Sequence, residues 1–179
     1  MQNQSKQVKE SPPKDISPKK TAEKTPKMYL EEGIKHFEAK RYEQAEECYR
    51  KAVKIDPDYA DGHCNLGRAL GRQQKYEDAI ISFEKALEID PNHGEAHCYL
   101  GWALVVVGRK EEGLKHCRRA VEINPNHRDS HYNLGVALSN MGKYEEAIQH
   151  YRSAIKIDLN YAMAHNNIGV ALYNLGRFE

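Results

Sequence analysis

This 179-residue sequence contains no long apolar run and no N-terminal charged segment followed by an apolar stretch. A membrane-spanning helix needs about 18 or more consecutive apolar residues, and a secretory signal needs an apolar core behind basic residues. The sequence therefore predicts neither, and we expect a soluble protein of the cytoplasm, with the nucleus as an alternative. No membrane partner is expected.

Cysteine is also scarce, and its four copies form no C-x-x-C pair. Cys64 and Cys98 are 34 residues apart. If they occupy equivalent places in adjacent packed helices, about 8–10 Å separates them, which exceeds the roughly 7 Å between α-carbons that a disulfide tolerates. We expect reduced thiols at all four positions, which are Cys48, Cys64, Cys98 and Cys117.

Neither sign of charge dominates, since the net charge is +1, but the charge is unevenly distributed. Residues 1–26 contain six lysines against three acidic residues, so this segment carries +3 and the remainder −2. It also contains four of the seven prolines and few apolar side chains. Such a composition cannot offset the entropy of ordering, so residues 1–26 are predicted to be a disordered basic Pro/Ser/Lys tail.

Three hydroxyl residues of this tail directly precede proline, as in sites of proline-directed kinases. Phosphates at the two serines would add about −3 to −4 charges and reverse the sign of the tail. A solubilising leader is the alternative interpretation. Nucleic-acid binding is not expected, because one short basic stretch offers few phosphate contacts. The candidate phosphorylation sites are Ser11, Ser17 and Thr25.

Glycine, by contrast, recurs with a fixed period of 34 residues, which indicates a stack of similar units. Apolar residues at three- and four-residue intervals predict two helices per unit. Glycines at 108, 142 and 176 are predicted to end first helices by adopting a left-handed turn. Pro57, Pro91 and Pro125 close three units, and Leu159 replaces the fourth proline, so we expect that boundary to be lost. The period is set by Gly33, Gly67, Gly101, Gly135 and Gly169.

The pattern resembles the tetratricopeptide repeat family, because the period, the small residues and the aromatic side chains Tyr42, Tyr49, Tyr76, Phe83, Tyr144 and Tyr151 agree in phase. The resemblance implies an all-α fold, a right-handed α-solenoid of stacked helix-turn-helix units over residues 27–179. Four complete repeats are expected at about 26–59, 60–93, 94–127 and 128–161, followed by the first helix of a fifth at 162–179. The third repeat has Lys110, Gly113 and Cys117 where its neighbours have an aromatic, Ala and an aromatic, and we expect a looser seam there.

The last predicted helix has no partner helix within the sequence, although repeat stacks usually end in a polar cap. We expect either a fragment of a longer protein or an end that associates with another copy of the chain.

No catalytic site is predicted. His63, His97, His131 and His165 recur at one position of successive units, but a spacing of about 8–10 Å prevents them from sharing a metal ion whose ligand nitrogens each lie about 2 Å away. We expect them to be half-buried packing groups. No nucleophile–base set and no phosphate-binding glycine loop can be assembled, so no enzyme activity, cofactor or metal is expected.

The resemblance implies that the first helices line a concave groove. Asparagines at one groove position are similar to the asparagine ladder of the O-linked N-acetylglucosamine transferases, in which amides bind a peptide backbone. Tyr99, Trp102, Val105 and Val106 are expected to form an exposed apolar surface, which Tyr132 and Val136 extend. Arg68 and Arg72, four residues apart, share a helix face and could bind a carboxylate or phosphate. Candidate partner-binding residues are Asn65, Arg68, Arg72, Tyr99, Trp102, Val106, Tyr132, Asn133, Val136 and Asn167.

These residues predict a protein-interaction scaffold that binds a peptide segment of a partner in the groove, with Trp102 as its anchor. The alternative for Trp102 is simple packing against the neighbouring first helix. Chaperone tails are disfavoured, because the lysines and arginine of the family's two-carboxylate clamp are not at the matching positions. Two further hypotheses are the substrate-recruiting region of a larger enzyme such as a glycosyltransferase, and a self-associating repeat fragment.

Overall fold

The computed structural model describes residues 24–177, which form nine α-helices and no strand. Successive helices pair as antiparallel hairpins, and each hairpin packs on the next, so the described chain is a right-handed α-solenoid as predicted. The helices are α1 Pro26–Glu38, α2 Tyr42–Ile55, α3 Ala60–Arg72, α4 Tyr76–Ile89, α5 Gly94–Val106, α6 Lys110–Ile123, α7 Arg128–Asn140, α8 Tyr144–Ile157 and α9 Ala162–Asn174. No helix among these residues is long and apolar enough to span a bilayer.

The periodic glycines mark the places where the two helices of a hairpin touch. A methyl group on Gly67 of α3 would lie 2.6 Å from Cε1 of Phe83 on α4, and the fully buried rings of Tyr49 and Tyr151 cover the equivalent glycines in the same way. The aromatic ring therefore fills the space that a side chain on the first helix would need.

The third hairpin is closely packed, so the predicted looser seam is wrong. A methyl group on Gly113 would lie 2.7 Å from the carbonyl oxygen of Gly101 and 2.7 Å from Cγ2 of Val105. Because Gly113 and Cys117 replace larger side chains, the backbones of α5 and α6 come into direct contact. Val105 is therefore 7% exposed and belongs to the core, not to an exposed surface.

The residue two positions after the end of each first helix lies in the left-handed region. Gly108, Gly142 and Gly176 have φ of 90°, 76° and 69°, as predicted, whereas Lys40 and Gln74 occupy the same position of the first two hairpins with φ of 58° and 63°. The left-handed residue reverses the chain into the second helix.

The second helices end at the same position in all four hairpins, so the predicted loss of the boundary at Leu159 is wrong. The Asp158 carboxylate accepts a hydrogen bond from the Asn160 amide at 3.1 Å, as Asp56, Asp90 and Asn124 do for the residue two positions on. This side-chain turn ends α8 without proline.

The first helix begins inside the segment that was predicted to be a tail. Thr25 is the N-cap of α1, its hydroxyl accepting from the Met28 amide at 3.3 Å, and Pro26 is the first helical residue. Two of the three predicted phosphorylation sites, Ser11 and Ser17, and the predicted disorder of residues 1–23 lie outside the described residues.

Candidate functional site

One cavity of about 420 Å³ opens between the first helices, and we call it the aromatic cavity. Six of the ten predicted binding residues surround it, namely Arg68, Arg72, Tyr99, Trp102, Tyr132 and Asn133. Its remaining lining residues are Phe37, Phe83, Arg128, Asp129, Tyr161 and Met163. Rings and guanidinium groups thus face one space.

Arg68 forms the centre of one wall. Its guanidinium carbon lies 5.1 Å from the ring centroid of Phe37 and 5.0 Å from that of Tyr99, so it is held between two aromatic faces. Its NH1 donates to Oδ1 of Asn65 at 3.0 Å and lies 3.5 Å from the Glu95 carboxylate. The Nε atom is buried and has no hydrogen-bond partner among the described residues. Although burial opposes the charge, neighbouring Tyr99 and Glu95 raise the pKa of Arg68, so it remains a cation.

The opposite wall is organised around Asp129. Its carboxylate accepts from Nε of Arg128 at 2.8 Å and from the Tyr99 hydroxyl at 3.2 Å. Arg128 also donates to Asp158 at 2.8 Å and stacks over the ring of Tyr161 at 4.4 Å. Hydrogen bonds from Arg128 lower the pKa of the Asp158 carboxyl, and burial raises the pKa of the Tyr99 hydroxyl. Asp158 therefore stays an anion that accepts from the arginine, and the Tyr99 hydroxyl keeps the proton that it donates.

Trp102 combines the two interpretations drawn from its sequence position. Its ring covers Gly71, on which a methyl group would lie 2.9 Å from Cζ3, and it packs edge-to-face on Tyr76 with centroids 5.7 Å apart. Its other surface lines the aromatic cavity, and the residue is half-buried. A side chain that is fixed by packing and still faces a cavity is a rigid surface for a ligand.

The three groove asparagines do not present a row of free amide donors. The Asn133 amide is 7% exposed and donates to the Cys98 carbonyl at 3.4 Å, and the Asn167 amide donates to the Tyr132 hydroxyl at 3.2 Å. Asn65 donates to the Asp61 carbonyl in its own helix at 2.9 Å. The amide donors are thus used within the protein.

The other four predicted residues do not line the aromatic cavity, although Asn65 and Asn167 are hydrogen-bonded to lining residues. Val106, 45% exposed, ends α5, and Val136 packs against the core next to α8. Asn65 and Arg68 line a second, more open cavity of about 560 Å³, together with Asp61, His93 and Glu95. Arg68 is shared by both cavities.

Several lining residues were not singled out from the sequence. Arg128 is the first residue of α7, and Tyr161 directly precedes α9, so neither lies at a position that the family places in the groove. Phe37 and Met163 lie in the first and last units. The adjacent opposite charges of Arg128 and Asp129 were no signal, because such pairs also occur on solvated helix faces, as at Glu84 and Lys85.

The recurring histidines pack as expected in three of the four units. The Nε2 atom of each lies 2.9–3.1 Å from a carbonyl oxygen six residues earlier, and His165 alone is exposed. His97 stacks on His116, and His131 on His150, with centroids 5.1 and 5.6 Å apart.

Solved structures with the same architecture cover most of the chain. A structure of MamA protein is 28% identical with a TM-score of 0.68, and the match covers 85% of this chain and 83% of that one. YrrB, described as a tetratricopeptide-repeat protein with an unusual peptide-binding site, is 27% identical with a TM-score of 0.63, covering 85% and 78%. TTC0263 from Thermus thermophilus, at 17% identity and a TM-score of 0.76 over 86% and 84%, shows the fold.

Comparison with curated protein sequences gave no significant match. Four family models described as TPR repeat or tetratricopeptide repeat match the chain, at residues 33–74 with 140–176, 60–93, 94–127 and 116–149. These matches give no support for a specific likeness to the transferase repeats. Repeats of this type and the likeness to YrrB support a protein-interaction role. Because the matched segments run without a gap from residue 33 to residue 176, the chain belongs to the tetratricopeptide repeat family.

Proposed function

We propose that the chain is a protein-interaction scaffold that binds a peptide segment of a partner protein in the aromatic cavity. The observation that carries this proposal is the combination of a cavity of about 420 Å³ with walls of rigid aromatic rings and arginines. Tryptophan, tyrosine and arginine are the residue types that contribute most to binding energy at interfaces.

The charges in the cavity favour a segment that contains both a carboxylate and an apolar side chain. Three guanidinium groups, of Arg68, Arg72 and Arg128, face the cavity, and Asp129 is its one carboxylate. Asp129 is already bound to Arg128, and Glu95 lies 3.5 Å from Arg68, whereas Arg72 is exposed. Arg72 is therefore the cation best placed to meet an incoming anion, and Trp102 to meet an apolar side chain.

A displayed library of random peptides, selected on the immobilised chain, tests this proposal because it samples many segment chemistries at once. Trp102 is the sole tryptophan of the sequence, so its fluorescence reports binding at the cavity in every variant that retains it, and isothermal titration calorimetry gives Kd for all variants, including Trp102→Ala. For selected peptides we expect Trp102→Ala to raise Kd at least tenfold, about 1.4 kcal/mol, and Arg72→Glu to weaken acidic peptides selectively.

Ile81→Ala is the matched control, because Ile81 is 64% exposed on α4 and does not line the cavity. It should leave Kd unchanged. Urea unfolding of each variant separates lost binding from lost stability, which matters for Trp102 because of its packing on Gly71. Peptides that bind Trp102→Ala and Arg72→Glu as tightly as the wild type would place the binding site elsewhere.

Self-association through α9 is a second candidate, since one observation favours it. Among the described residues, a methyl group on Gly169 would contact nothing within 4 Å, whereas a ring or thiol of the following helix covers the equivalent position in each complete hairpin. A monomeric mass at high protein concentration, measured by light scattering, would argue against it.

Two sequence-based expectations stay predictions. The cytoplasmic or nuclear location agrees with four free cysteines in the structure. Phosphorylation at Thr25 would place a phosphate at the N-terminus of α1, where it is electrostatically favourable.

A further inference from the structure

The first hairpin departs from the leucine pattern of the later hairpins on one face of α1. In later hairpins the corresponding positions are buried leucines, such as Leu66 and Leu70 of α3. In α1 they are Glu32 and His36, which lie four residues apart and therefore on one face of the helix. Polar residues at the end of a repeat stack are usually explained as a solvated cap.

Two features distinguish this face from a solvated cap. Nδ1 of His36 is buried and has no hydrogen-bond partner among the described residues. In addition, one carboxylate oxygen of Glu32, one ring nitrogen of His36 and the sulfur of Cys48 on α2 all lie within 4.8 Å of one another. Cys48 is 7% exposed. A buried polar nitrogen without a hydrogen-bond partner costs free energy, and a ligand bound to the ring would remove that cost.

We propose that Glu32, His36 and Cys48 form a Zn²⁺ site that joins α1 to α2. Zinc accepts sulfur, nitrogen and oxygen ligands together, at about 2.3, 2.0 and 2.0–2.2 Å, in a tetrahedral arrangement. Tetrahedral ligands at those distances lie about 3.3–3.8 Å apart, so small side-chain rotations would bring the three atoms into place. Three protein ligands leave a fourth position for water.

Two lysines lie beside the site, and each is paired with a carboxylate. Oε2 of Glu32 accepts from Lys24 at 2.6 Å, and Lys51 pairs with the Glu47 carboxylate at 2.7 Å, so both lysines are partly neutralised. A carboxylate has a second oxygen for a metal. Binding converts the Cys48 thiol to a thiolate and releases one proton to solvent.

Titration of the metal-free full chain with Co²⁺, followed by displacement with Zn²⁺, tests the site. Cobalt bound to a thiolate absorbs in the near ultraviolet, and tetrahedral cobalt has intense visible bands. We expect one Co²⁺ per chain, both signals, and their disappearance on addition of Zn²⁺. Cys48→Ser should abolish the thiolate band, and Glu32→Gln and His36→Gln should each weaken binding at least tenfold.

His116→Gln is the matched control, because it removes a histidine of the His97–His116 pair, which could hold cobalt through nitrogen alone. It should leave the thiolate band and the affinity unchanged. Circular dichroism of every variant confirms that the helices are retained. A wild type without the thiolate band, a band that survives in Cys48→Ser, or full affinity in both Glu32→Gln and His36→Gln would overturn the proposal. None of these outcomes bears on peptide binding at the aromatic cavity.

Discussion

At the scale of single residues, the left-handed position after each first helix shows what one side chain contributes. The same backbone conformation is occupied by glycine after three of the first helices and by Lys40 and Gln74 after the other two. A residue with a Cβ atom is strained in this region, and glycine is not. Lys40 and Gln74 are both exposed, so tertiary packing does not compensate for that strain.

Gln74→Gly should therefore stabilise the chain, by roughly 0.5–1 kcal/mol, and Gly142→Ala should destabilise it by about 1 kcal/mol. A methyl group on Gly142 would touch nothing within 4 Å, so the second change tests backbone conformation alone. Urea unfolding midpoints at constant m-value provide the measurement. A lower midpoint for Gln74→Gly would mean that the glutamine side chain stabilises the turn more than its backbone strain opposes it.

At the scale of helices, three of the four hairpins are closed by contact between a glycine on the first helix and an aromatic ring on the second. Gly67 and Gly169 occupy the same position of their helices, but only Gly67 is covered. A methyl group on Gly67 would force Phe83, which is fully buried, out of its site.

The same substitution should thus have opposite effects at the two positions. Gly67→Ala is expected to lower the free energy of unfolding by about 1–3 kcal/mol through overpacking. Gly169→Ala is expected to raise the helicity and local stability of α9 by up to about 1 kcal/mol, since alanine is the better helix former. Thermal unfolding followed by circular dichroism measures both.

Protein concentration serves as the internal control for this pair. If another copy of the chain packs on the Gly169 face, Gly169→Ala should become destabilising as concentration rises. Equal losses at Gly67 and Gly169 at low concentration would contradict the assignment of α9 as an uncovered helix.

At the scale of the whole molecule, the 34-residue period was sufficient to predict the fold, because stacked hairpins depend on local helix patterns and nearest-neighbour contacts. The period also predicted Tyr99, Trp102 and Tyr132 as groove residues, because groove positions follow from the register, and all three line the aromatic cavity. Distances between side chains do not follow from the register. The burial of Val105 depends on the close approach that Gly113 permits, and the bond from Asn133 to Cys98 depends on how near α5 lies to α7. The period gave no indication of the proposed Zn²⁺ site. The replacement of two leucines by Glu32 and His36 points to a metal only once the structure places Cys48 beside them.

Two stacked histidine pairs connect the stability of the whole chain to pH. The Nδ1 atoms of His97 and His116 are 2.9 Å apart, and those of His131 and His150 are 3.3 Å apart. Nε2 of His97 lies 3.1 Å from the Pro91 carbonyl and donates to it, so its Nδ1 is the acceptor and His116 carries the shared proton. Full protonation of a pair would bring two N–H donors and two charges face to face. Burial lowers the pKa of His97, His116 and His150, and the charge of the paired histidine lowers it further for His116 and His150.

Stability should accordingly fall as the pH drops from about 7.5 to about 5.5. In the unfolded chain His97, His116 and His150 take up protons at the ordinary histidine pKa of about 6.5, whereas in the folded chain they do so only at lower pH, so protons favour unfolding in this window. His116→Ser/His150→Ser should reduce the slope of the unfolding free energy against pH, measured by urea titration.

Serine is the natural residue at this position of the second hairpin, where Ser82 donates to the Asp78 carbonyl at 2.9 Å, so the variant should fold. His165→Ser, at an exposed position outside both stacked pairs, is the control for the loss of a histidine as such. An unchanged slope in the double variant would mean that other groups produce the pH dependence.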